Sequence, residues 1–121
     1  MLQKNKEIMK VAVMASGRGS NFQAIIDSSE RGEMPNAQIV HLIADNKDAY
    51  AIQRASKHKI DYTVIESKKY SREDFEIHTL KVLQNKKVDV IVLAGFMRIL
   101  TSRFINSYKN KIINIHPSLL P

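Results

Sequence analysis

Apolar runs and helical patterns alternate along the chain. Residues 8–16 (IMKVAVMAS) are apolar and partly β-branched, and a glycine turn follows them. Residues 20–32 place Phe22, Ile25, Ile26 and Ser29 at helical spacing, with Gly32 as the stop. A second strand is expected over 37–45, with Asn46 placed to cap a helix over 47–58. A shorter third strand spans 61–67. The stretch 71–87 opens with Ser71-x-x-Asp74, a cap-like start, and carries Phe75, Ile77, Leu80, Val82 and Leu83. Residues 88–95 are almost continuously apolar, as in a strand covered on both faces. A short helix over 101–108 then leads to a fifth strand over 111–116.

Strand and helix repeated in this way specify an α/β fold, a parallel sheet joined by right-handed crossovers. The expected order is 3-2-1-4-5, the nucleotide-binding half of a Rossmann-like fold, with its crevice beyond the carboxyl ends of strands one and four. Chemistry is therefore expected after Ser16, after Gly95 and around His116.

The 121 residues make one domain's worth of chain. The absence of cysteine excludes disulfides and thiolate chemistry, and the histidines His41, His58 and His78 share no metal-ligand spacing, so no metal site is expected. The first seven residues read as a polar lead-in, no apolar run approaches bilayer length, and a soluble cytoplasmic protein is expected. A net charge of +7 favours anionic partners. The lysines are dispersed and lack aromatic interleaving, so small anions are expected as partners, with neither nucleic acid nor membrane.

Three loops carry candidate chemistry. In SGRGSN (16–21), two glycines allow close backbone approach while Ser20 and Asn21 start a helix, whose N-terminus suits an anion. It is neither the dinucleotide fingerprint, because Phe22 replaces the third glycine, nor a P-loop, which needs a lysine. The plain alternative is a tight turn in which Ser20 merely caps. In AGFMRILTSRF (94–104), the segment after Gly95 stays apolar and would line a slot for a flat heterocycle, or serve as core beneath a loop. In NIHPSLLP (114–121), Asn114 and His116 point to one side of an extended strand. There an amide could meet a developing oxyanion and an imidazole could move a proton.

Together, SGRGSN, LAGFMRIL and NIHPSLLP resemble the phosphoribosylglycinamide formyltransferase family, the folate-dependent transformylases of purine synthesis. The likeness runs from about Lys10 to the last residue. By this resemblance Gly19, Ser20 and Asn21 hold the substrate phosphate. Arg72 contacts the formyl-folate, and Met97, Arg98, Ile99 and Leu100 surround its pterin. Asn114 and His116 are two of three catalytic residues. The implied reaction moves a formyl group from 10-formyltetrahydrofolate to the amine of glycinamide ribonucleotide, with no metal. The family's third catalytic residue, an aspartate, lies downstream of HPSLLP, so the reading expects a single formyltransferase domain over 1–121, cut at its carboxyl end and catalytically incomplete. Two rivals stand beside it. One is another folate formyltransferase, such as the methionyl-tRNA enzyme, or the formyltetrahydrofolate hydrolase. The other is a nucleotide-binding module without catalysis, with Asp45 as a ribose contact.

Overall fold

The computed structural model describes residues 8–115. The lead-in read over residues 1–7 and the candidate base His116, with Pro117 after it, lie outside the described residues. Five strands form one parallel sheet: β1 (Met9–Ala15), β2 (Ala37–Ala44), β3 (Tyr62–Val64), β4 (Val90–Ala94) and β5 (Ile112–Ile115). Their order is β3-β2-β1-β4-β5, as the strand–helix alternation requires. The connecting helices are α1 (Ser20–Glu30), α2 (Ala51–Lys57), α3 (Arg72–Asn85) and α4 (Ser102–Ser107).

The two faces of the sheet carry separate cores. Val11, Val13 and Ala15 of β1 pack with Phe22 and Ile26 of α1 and with Ala51 and Ala55 of α2. Ala12 and Met14 pack on the other side with Phe75 and Leu83 of α3 and with Phe104 of α4. Phe22, Phe75 and Phe104 are fully buried, each worth about 1.5–3 kcal/mol of apolar transfer. β2 carries one more residue than β1: Val11 lies opposite Ile39, but Ala12 lies opposite His41.

Several local expectations need correction. α2 begins at Ala51, and Asn46 does not cap it. Its side-chain oxygen instead accepts the Asp48 N–H (2.9 Å), closing a turn, while its amide donates to the Ser16 carbonyl (2.7 Å). The third strand shrinks to three residues, because Ser67–Lys69 forms a single 3-10 turn. Ile77 is exposed, since Phe75, Thr79 and Leu83 repeat every four residues on the inner face of α3 and leave it outside. Ser71 caps α3 as expected, accepting the Asp74 N–H at 3.1 Å.

His41 is buried on the α3 side of β2, with its Nε2 2.7 Å from the Thr63 hydroxyl. Burial pushes its pKa below the ordinary 6.5, and the nearby Lys86 ammonium adds to the shift.

Candidate active site

The carboxyl ends of β1 and β4 open into a cleft of about 250 Å³ lined by residues 16–21 together with Ala94, Gly95 and Met97. Two of the three expected loops therefore share one hollow. The glycine turn is shaped by what lies beneath it. Gly19 sits at φ 75°, and a β-carbon there would come within 2.7 Å of Ala51 Cβ and 2.9 Å of its Cα. Only glycine meets both demands. From α2, the Ala51 N–H reaches the Gly17 carbonyl (3.3 Å) and Arg54 Nε donates to the Arg18 carbonyl (2.8 Å).

Gly19 is itself the N-cap of α1, and no side chain caps that end. Ser20 therefore begins the helix instead of capping it. The first backbone bond of the helix runs from Gln23 N–H to Gly19. The N–H groups of the first turn thus precede the internal ladder, the arrangement that receives an anion.

The segment after β4 is fixed at its start by a serine. Met97 N–H donates to Ser16 Oγ (2.9 Å), which in turn donates to Asp45 Oδ2 (3.0 Å). Phe96 stacks on Phe75 at 6.1 Å, and the Arg98 guanidinium lies 6.0 Å from the Phe75 ring. Met97 and Ile99 are 81% and 74% exposed, leaving apolar side chains at the edge of the sheet, while Arg98 and Leu100 are half-buried. Exposed apolar side chains beside backbone donors and acceptors suit a flat, partly apolar ring.

Asp45 is 7% exposed and faces Ser16, so its carboxylate is engaged by protein, which weighs against the ribose contact of the nucleotide-module reading. It also borders a second hollow of about 470 Å³ with Asn46, Glu66, Lys68 and Arg98. Arg72 lies elsewhere: it lines a hollow of about 470 Å³ between the starts of α3 and α4, with Glu76, Ile77, Thr101 and Arg103. Asn114 is exposed on β5, opposite Leu93 of β4, two positions before Gly95. Among the described residues, no group of three or more His, Asp or Glu side chains is arranged to hold a metal ion. No helix among the described residues is long and apolar enough to cross a membrane.

Sequence reasoning passed over Ser16 as a structural element and did not connect it with Asp45. A serine ending one strand and an aspartate ending the next were the available signal, since parallel strands side by side bring their carboxyl ends together.

Comparison with known proteins agrees with this layout. The formyl transferase family model matches residues 9–121. A phosphoribosylglycinamide formyltransferase of Haemophilus influenzae is 43% identical over 113 residues, covering 93% of this chain and 53% of that protein. A trifunctional purine biosynthetic protein adenosine-3 of Chironomus tentans is 44% identical over 114 residues, 93% of this chain and 8% of that one. The crystal structure of glycinamide ribonucleotide transformylase 1 from Geobacillus kaustophilus superposes with a TM-score of 0.87 at 41% identity, covering 95% of this chain and 61% of that one. The chain thus spans about half the length of the single-function relative. With the family model running from β1 onward and the sheet ordered 3-2-1-4-5, the chain belongs to the formyl transferase family.

Proposed function

We propose that the protein serves de novo purine (IMP) synthesis in the cytoplasm, moving a formyl group from 10-formyltetrahydrofolate to the amine of glycinamide ribonucleotide. The observation that carries this reading is the shared cleft: the uncapped start of α1 and the Gly95–Met97 turn line the same hollow. A phosphate at Gly19, Ser20 and Asn21 would leave the rest of a small ribonucleotide reaching toward β4 and β5. The exposed apolar edge at Met97 and Ile99, with Arg98 and Leu100 beside it, fits a pterin, and Arg72, in the hollow at the starts of α3 and α4, is taken as a further contact of the same co-substrate.

In the reaction, the amine nitrogen bonds to the formyl carbon and the bond from that carbon to the folate nitrogen breaks. The amine proton passes toward the departing nitrogen. Asn114, on the strand next to β4, would donate its amide to the oxygen on which negative charge builds, with His116 moving the proton. The names of the relatives support the choice of acceptor and the purine setting.

Calorimetric titration tests the reading. The protein should bind ribose 5-phosphate and the stable 5-formyltetrahydrofolate, glycinamide ribonucleotide should displace the former, and initiator tRNA should not bind. Binding of tRNA would move the assignment to another formyltransferase. Retention of an adenine or nicotinamide nucleotide without folate would overturn it in favour of a nucleotide-binding module.

A further inference from the structure

We propose that Asp45 and Glu76 are positioning residues that fix the two ends of the 97–101 segment, Asp45 through the Ser16 hydroxyl that it orients and Glu76 by accepting both the N–H and the hydroxyl of Thr101. The role rests on the reading of that segment as the pterin-facing one.

At the first end, Ser16 Oγ lies 3.0 Å from Asp45 Oδ2 and 2.9 Å from the Met97 nitrogen. A carboxylate only accepts, and a serine has one proton. Once that proton points at Asp45, the serine oxygen has only lone pairs left for Met97, and the Met97 N–H is the donor that uses one. At the other end, Glu76 on α3 accepts twice from Thr101: from its N–H at 2.7 Å and from its hydroxyl. The Thr101 hydroxyl, its proton committed to Glu76, accepts the Phe104 N–H (3.3 Å) and caps α4. Asp45 and Glu76 are 7% and 5% exposed, so both carboxylates are withdrawn from solvent for these contacts. Such burial is costly unless the hydrogen bonds are made.

Between the two anchors the side chains of Met97 and Ile99 stand in solvent. Little in their own packing holds them there. The position of their backbone is set from the ends, by one carboxylate leaving β2 and one on α3. These contacts order backbone groups without touching the ligand, so their effect belongs to the affinity for the pteridine and not to the phosphate turn.

The test uses the whole chain with Asp45→Asn and Glu76→Gln, reading amide hydrogen exchange alongside titration with 5-formyltetrahydrofolate and ribose 5-phosphate. Asparagine can donate to Ser16, which removes the bias that leaves the serine as acceptor. Asp45→Asn should speed exchange at Met97, and Glu76→Gln at Thr101 and Phe104. Each should weaken folate binding about tenfold, the scale of one charge-assisted hydrogen bond, and leave ribose 5-phosphate binding within about twofold. Unchanged exchange at those amides overturns the proposal. So does freed exchange with folate affinity intact. Loss of both ligands with faster exchange throughout β1 and β4 would mark a role in overall stability and also overturn it. Should Asp45→Asn fail to fold, Asp45→Ser, which can likewise donate to Ser16, is judged by the same criteria. A wild-type protein that binds ribose 5-phosphate but no folate sinks the functional reading itself, and the positioning role falls with it.

Discussion

Gly19 is the residue whose side chain is most tightly forbidden. Alanine there meets a left-handed backbone and the backbone of Ala51 at once, so relief requires the loop to lift from α2. Gly19→Ala should cost about 1–2 kcal/mol in urea unfolding from the backbone conformation alone. It should also abolish detectable binding of ribose 5-phosphate, because the lifted loop no longer presents its N–H groups. Asn114 has the opposite character, exposed on β5. Under the proposed function, and measured in a protein that carries the family's downstream aspartate, Asn114→Ala should lower formyl transfer about 10²–10³-fold, as removal of an oxyanion donor does, with substrate binding nearly unchanged in a competition titration. His41 supplies a pH dependence. Its imidazole is held neutral by burial, with a pKa below the ordinary 6.5. Between the lowered value and 6.5 the unfolded chain binds a proton that the fold refuses, so stability falls as pH drops through that window. His41→Gln, which keeps a polar neighbour for Thr63, should flatten the loss of urea stability below pH 6.5, read from midpoints across that range.

At the scale of elements, α2 is short and acts as the platform of the glycine turn. Its first turn binds the carbonyls of Gly17 and Arg18. Across a trans peptide the carbonyl and the following N–H point in opposite directions, and no peptide bond among the described residues is cis. Tying those carbonyls down to α2 therefore aims the N–H groups of Arg18 and Gly19 away from it. Arg54 is itself steadied by Gln23 (3.1 Å) and lies over the Tyr50 ring. Arg54→Met should weaken ribose 5-phosphate binding about tenfold in titration calorimetry with folate binding unmoved. Equal affinity would show that the turn holds itself. This platform was not legible in the sequence. Local capping rules pointed to Asn46 as a helix start, and they could not show that Asn46 is occupied with Ser16, whose strand lies thirty residues earlier. The Ser71 cap was legible because its partner, Asp74, is only three residues away.

For the whole molecule, the alternation of buried strands and amphipathic helices was enough to place every strand, because handed crossovers leave few topologies for such a pattern. The shared cleft was legible where motifs sit at strand ends. The buried Glu76 was not, since a helical glutamate beside apolar neighbours reads as a solvated face until a partner such as Thr101 is placed against it. The charge of +7 acts at this scale too. Ribose 5-phosphate affinity should fall as salt rises from about 0.01 M to about 0.15 M, as screening shortens the reach of dispersed lysines. A flat titration series would assign binding to the local turn alone. The extra residue in β2 sets the phase of all that follows it. Ala37 and Ile39 face the layer of α1 and α2 before the offset, whereas Leu42 faces that layer after it and Ile43 faces α3. In an unbroken strand Asp45, odd-numbered like Ile39, would have fallen in the α1–α2 layer, out of reach of Ser16. Strand parity thus decides which side of the sheet receives the carboxylate: a one-residue change in β2 ahead of His41 exchanges the layers, and a two-residue change restores them.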